Sequence, residues 1–447
     1  MQKRPSVISR RGLIKTAGAI CAATVAAPAL LIPGRAKAAK HKLSILQWNH
    51  FVPAFDDWFN NVYIKEWGEQ NDTEVTVTNV GMSSLQTRAQ AEVSAQSGHD
   101  LFMFLNPPAS FEDHVVDQTD VFTECELRYG TPVELAKKST YNPKTEKYYG
   151  FSDSYVPDPI NYRADLWDEV GIVPDNWDSI REGSRKIREL TGIPAGFGLA
   201  PELDSNAALR SVLASFGGSV QDAEGNPSFG SAETVEALRF MKALYSESMT
   251  DEVFTWDASS NNRQMLAGRG SVCLNAISIT RTGENMSIPV ASNIMLGKAA
   301  RGPVRQIGLA HLMDVYVIWE FAKNIDGAKQ FLVDFVGQSK QAFLASQFYN
   351  FPCYPKQVPD INELIAKDHA AVPTDKYDIF NDVTDWTTNV GYPGYANPAI
   401  DEIFNTWVVS WVFAEVAKGK LSPEEGANEG QRLVSQIFDK WRDVGKV

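Results

Sequence analysis

The 447-residue chain is 44% hydrophobic and 11% aromatic, with 22% of its residues charged. Such a length predicts about two to three domains with substantial cores, and the composition excludes disordered, collagen-like and disulfide-scaffold proteins. The first 38 residues carry Lys3, Arg4, Arg10, Arg11, Lys15, Arg35 and Lys37 and no acid, so removing them takes the formal charge from −13 to −20. A body that acidic has no electrostatic attraction for nucleic acid or an anionic membrane, and neither is expected as a partner.

The basic start reads as an address. Ser9-Arg10-Arg11-Gly12-Leu13-Ile14-Lys15 resembles the twin-arginine export motif, an Ala-rich apolar stretch follows over 17–31, and Ala36-Lys37-Ala38 offers small-x-small cleavage. Pro28, Pro33 and the basic flank argue against a membrane anchor, and Ile20 before Cys21 against a lipoprotein. Residues 1–38 are therefore expected to be a signal peptide and the mature chain to reach the periplasm. Because this route also carries redox enzymes, cofactor motifs have to be sought.

None stands out. There is no GxGxxG with a following acid, no GxxxxGK[ST], no GxSxG and no HExxH, and the six histidines are scattered. Asp222 to Asn226 lacks the later Glu of a calcium loop and reads as a turn. Adjacent carboxylates such as Glu112-Asp113 point different ways and suggest no glycosidase pair. No C-x-x-C occurs, and Cys125, Cys273 and Cys353 read as buried small hydrophobes, with one disulfide among them as the alternative. No cofactor, no metal and no catalytic residue are expected.

In chain order, 42–48 reads as a strand and 53–71 as an aromatic-rich amphipathic helix. A β-branched strand over 74–80, a helix over 84–97 closing at Gly98, and a strand over 101–105 imply a parallel sheet with helices on its faces. Short strands are expected near 149–151 and 159–162, then a helix over 165–170 and one over 177–190 with Asp175 or Asn176 as N-cap. Further helices are expected over 207–216, 232–246, 259–266 and 325–336. Strands are expected over 272–277 and 314–318, and a largely helical stretch over 399–441.

Five blocks in order resemble the family 1 extracellular solute-binding proteins of ABC importers. They are Tyr148-Tyr149-Gly150-Phe151 with Asn161-Tyr162-Arg163-Ala164-Asp165-Leu166-Trp167; Phe216-Gly217-Gly218 leading to Ala237-Leu238; Ala267-Gly268-Arg269-Gly270-Ser271-Val272; Asn324-Ile325-Asp326-Gly327-Ala328; and Gly419 through Ala427. The resemblance implies an α/β fold like the type II periplasmic binding proteins, with two α/β lobes exchanging segments at a hinge and helices at the C-terminus. The expected division is 39–155 plus 311–352 for the first lobe and 156–310 plus 353–447 for the second. It further implies a monomer that captures a carbohydrate or polyol and delivers it to the permease, without chemistry. A glycerol-phosphate-type solute and a secreted carbohydrate-processing enzyme remain the alternatives.

Ligands in open α/β sheets sit beyond the carboxyl ends of strands. That rule selects Trp48, Asn49, His50, Asn106 and Asn275. The resemblance adds Asp153, Tyr155 and Asp158 at the hinge bend, His311 at a lobe crossing, and Trp386, Tyr392 and Tyr395 in a cleft loop. Trp256 completes the candidates. Aromatic plates beside Asp, Asn and His suit hydroxyl-rich rings. Plainer roles compete: Trp48 as a core lid, His50 as a helix cap, and Asp153 and Asp158 as solvated or hinge-bonding carboxylates. Trp58, Phe59, Trp67, Trp407 and Trp411 fall at helical spacing and are expected in the core.

Overall fold

A computed structural model describes residues 40–447. The expected signal peptide, with its twin-arginine motif and Cys21, lies outside the described residues. His41–Trp48 forms a strand whose apolar run, Leu43, Ile45, Leu46 and Trp48, is buried on both faces, and it pairs in parallel with Thr73–Val80 and with Leu101–Phe104. All four residues of Leu101–Phe104 are buried, as befits a strand covered on both faces. The parallel character stops there. Leu312–Ile318 joins antiparallel on one side of Leu101–Phe104, followed by Phe151–Val156 and the edge strand Phe351–Pro352. The expected parallel sheet is thus a mixed one of six strands, because its later members return from elsewhere in the chain.

A second sheet of three antiparallel strands centres on Ile160–Arg163, between Val272–Leu274 and Ile294–Gly297. Each sheet anchors its own apolar core. The first gathers side chains such as Leu46, Phe102, Tyr316 and Phe331, and the second Trp177, Leu209, Met241 and Val412. The chain passes between them near 157–159, 300–311 and 387–398. Buried residues from Cys353 to Trp386 belong to the first core, whereas the expected division placed 353–447 in the second lobe. The reason is local: Phe351–Pro352 pairs with Phe151–Val156, and the following segment folds back so that Phe380 packs 5.1 Å from Phe351.

Local chemistry explains several boundaries. The aromatic helix near 53–71 is broken by a π-helical turn at Phe59–Tyr63, which brings Phe59 and Tyr63 onto Phe331 and Phe335 at 5.2–6.2 Å. Asn176 caps the helix Trp177–Thr191 through a reciprocal bond with Ser179. Gly98 does not supply the left-handed end expected of it. Gln96 does, at φ +49°, while a Cβ on Gly98 would fall 2.1 Å from the Glu92 carboxylate. Asp222 accepts from the backbone N–H groups of Glu224 and Asn226, an Asx turn. Cys125, Cys273 and Cys353 are all buried and free.

Candidate functional site

Between the two cores lies a cavity of about 700 Å³. One wall comes from the first core, beyond the carboxyl ends of Thr73–Val80 and Leu101–Phe104: Gln86, Gln90, Phe104, Asn106, Ser110 and Phe111. The opposite wall comes from the second core: Glu202, Trp256, Phe404, Asn405, Trp407 and Trp441. Placement follows topology, since parallel strands aim their following loops at the same end of the sheet. Three part-exposed tryptophan rings, Trp256, Trp407 and Trp441, thus stand among amides and hydroxyls.

Three segments hold this geometry. Asp401, on the helix Pro398–Asn405, reaches across to the first wall. Its carboxylate accepts from the Ser110 N–H at 2.9 Å, from the Ser110 hydroxyl, and from Asn106 Nδ2 at 3.2 Å. Burial pushes this carboxyl up to about 6, although the donors from Ser110, Asn106 and Asn405 favour its charged form. Glu202 caps the helix Leu203–Phe216 by accepting from the Ser205 and Asp204 N–H groups. Burial first, and the neighbouring Asp204 second, raise it to about 8. Trp407 sits at φ +60°, a conformation that L side chains rarely adopt, in the short link between Pro398–Asn405 and Val408–Ala417. Backbone strain of this kind persists where surrounding structure enforces it, commonly at ligand clamps.

Of the thirteen residues the sequence pointed to, the structure brings Asn106 and Trp256 to this cavity. Asn49 is exposed elsewhere. Trp48 and His50 turn inward. Trp48 packs 5.4 Å from Phe51, while His50 takes the Val52 N–H on Nδ1 and meets Asn350 Oδ1 at 3.0 Å through Nε2. Burial lowers the His50 imidazole to about 4. Tyr155 and Trp386 are also first-core side chains, the latter donating to Asp382 at 3.2 Å. Asp153 is buried in the first sheet, where burial raises it to about 7. Asn275 is spent on Asn261 and Asn262 at 2.9 and 2.7 Å. Tyr392 meets Arg305, and Tyr395 lies 6.0 Å from Tyr141, both away from the main cavity.

Asp158 and His311 form a separate constellation where the chain crosses between cores. His311 Nδ1 lies 3.1 Å from Asp158 and Nε2 3.4 Å from Asp204, with all three side chains at most 7% exposed. Burial alone would lower the imidazole, but Asp204 and Asp158 outweigh it and hold His311 at about 9. Asp204 itself is raised to about 6, burial winning over the His311 charge. A network therefore runs from the cavity wall at Glu202, through Asp204 and His311, to the crossing segment at Asp158. Among the described residues no group of three or more His, Cys, Asp or Glu is placed to hold a metal.

Sequence reasoning missed Trp407 and Trp441. Trp407 was expected in the core because helical spacing was read straight through 405–408, where the chain leaves the helix. Its signal was available only as an aromatic following Asn405-Thr406, two poor helix formers.

The family profile of the bacterial extracellular solute-binding proteins matches residues 53–347. The chain belongs to that family. A candidate binding protein of Brucella abortus (strain 2308) is 25% identical over 198 residues, 43% of this chain and 47% of its own. The chain thus spans about half the length of the curated relatives it matches. Two solved structures share the fold over nearly the whole chain. A candidate oligosaccharide periplasmic-binding protein from Synechococcus sp. MITs9220, in complex with zinc, has a TM-score of 0.76 at 15% identity, covering 89% of this chain and 100% of its own. Maltose-bound T. maritima MalE3 has a TM-score of 0.72 at 17% identity, covering 89% and 99%. The fold is that of a type II periplasmic binding protein, two α/β lobes around a cleft.

Proposed function

We propose that this protein captures a carbohydrate or polyol between its lobes in the periplasm and hands it unaltered to the permease of an ABC importer. The observation that carries this reading is the cleft itself. Trp256, Trp407 and Trp441 offer part-exposed apolar plates over a floor of buried phenylalanines, and Gln86, Gln90, Asn106 and Asn405 offer donors and acceptors between them. Sugars have the complementary surface, C–H faces ringed by hydroxyls. Our lobe division, 40–156 with 312–386 and 160–300 with 399–447, follows the two sheets, with Ala276, Ile277, Leu296 and Ala299 packing across onto the first core. Ligand touching both walls favours the closed arrangement by its extra contacts there, and the closed shape is what a permease reads. Export through residues 1–38 by the twin-arginine route and a monomeric mature chain complete the reading.

Thermal shift and calorimetry of the mature chain against monosaccharides, oligosaccharides and polyols test it. One of these solutes should stabilise the protein, by about 2.7 kcal/mol at a hundredfold excess over Kd, and be recovered unchanged. Stabilisation by none of them, or turnover of the bound sugar at catalytic rates, overturns the proposal.

A further inference from the structure

The helix Pro423–Asp443 carries Trp441 on its last turn, and the ring is one of the part-exposed plates of the cleft. Two separate devices hold that turn in place. On the second lobe, Glu402 of the helix Pro398–Asn405 accepts from the Trp441 indole N–H at 2.6 Å and from Lys440 Nζ at 2.7 Å. Lys440 also stands over the Trp441 ring at 5.0 Å. A charge-assisted bond at the indole N–H fixes the rotation of the ring.

The second device crosses to the first lobe. Past the helix the chain turns at Gly445, φ +73°, and the Lys446 N–H returns to the Trp441 carbonyl at 3.0 Å. Lys446 Nζ then reaches Glu112 at 3.2 Å and Asp113 at 2.6 Å, and its carbonyl accepts from Asn142 Nδ2 at 3.1 Å. The Glu112 side chain is 2% exposed and also accepts from Asn142 Nδ2 at 2.7 Å, so solvent does not screen this pair as it screens surface ones. The same short turn, Ala109–His114, presents Ser110 and Phe111 to the cavity. Residues 441–446 therefore form a strap. One end is a plate of the cleft, and the other is pinned to the opposite wall. Lys446 itself takes no part in the cavity lining.

We infer that Glu402 and Lys446 are positioning residues for the sugar, holding Trp441 from the two lobes so that the plate is ordered before a ring packs on it. A plate fixed in advance spares the ligand the cost of immobilising it. This assignment rests on the carbohydrate reading above and adds the residues that set one of its plates. Calorimetry of the mature chain tests it with glucose, sorbitol, maltose, maltotriose, cellobiose and laminaribiose, the member that wild type binds most tightly serving as probe. Trp441→Ala should weaken binding about tenfold. Glu402→Leu and Lys446→Met should each weaken it severalfold, and Lys446→Arg, which keeps the charge, should bind like wild type. In a Trp441→Ala background neither Glu402→Leu nor Lys446→Met should weaken binding further, because the plate they hold is gone. Losses that add to that of Trp441→Ala mean a direct contact with the sugar or a general loosening, and overturn the assignment. Unchanged affinity in Trp441→Ala, Glu402→Leu or a folded Lys446→Met does the same. Glu402→Leu keeps the cycle decisive if Lys446→Met fails to fold. Each of these results leaves the carbohydrate reading standing, whereas wild type that binds none of the six overturns both.

Discussion

Replacing His311 by glutamine removes the one cation between two buried carboxylates while keeping a hydrogen-bonding side chain of similar size. The imidazole is held at about 9 against an ordinary 6.5. At about 1.4 kcal/mol per tenfold change in proton affinity, that rise corresponds to about 3 kcal/mol of stability. Loss of one partner from a buried pair costs about 3–5 kcal/mol, so the two routes agree in size. The sign follows from proton counting. The folded state binds its proton more tightly than the unfolded chain, so the stabilisation is complete below pH 6.5 and is lost as pH rises through 9. Urea unfolding of wild type and His311→Gln across pH 6 to 10 should show a gap of about 3 kcal/mol at the acid end that narrows toward the alkaline end. Glu202, raised to about 8, gives both proteins a loss of stability as pH climbs from its ordinary 4.5 through 8, offset in wild type alone by its attraction to the His311 imidazolium. A gap that stays constant or widens with pH would refute the reasoning.

The other expectations separate binding from folding. Trp407→Gly should weaken binding of the cognate sugar about tenfold by calorimetry, yet relax the backbone at φ +60°, so its urea midpoint should not fall with its affinity. Unchanged affinity would remove Trp407 from the site. Trp48→Ala should instead cost about 3–5 kcal/mol of stability, because the ring is 2% exposed in the first core; a folded variant that loses affinity with full stability contradicts this. Gly430→Ala places a Cβ 2.3 Å from the Phe229 ring. Overpacking of about 1–3 kcal/mol should exceed the gain of roughly 1 kcal/mol in helix propensity, giving net destabilisation in chemical unfolding.

Much of the architecture was legible locally. The apolar run of 42–48, the β-branched 74–80 and the apolar 101–105 each dictate a strand whatever surrounds them, and Asn176 and Gly171 mark helix ends by their own chemistry. The rule of strand ends selected Asn106, which lines the cavity because the loop after a parallel strand has little choice of direction. It failed at Trp48 and His50, where one inward turn and a partner 300 residues away, Asn350, decide the facing.

Sequence alone therefore determined the elements, the acidic body, the order of the family blocks and the kind of side chain available to a ligand. Only the tertiary structure decided which of those side chains share a cavity. The cleft is assembled from segments near 86–111, 202, 256 and 404–441, and the His311 network joins positions 158, 204 and 311. Local propensity acts over one or two turns of chain. Facing and proximity across hundreds of residues are set by how two cores close around their sheets, which no short window of sequence contains.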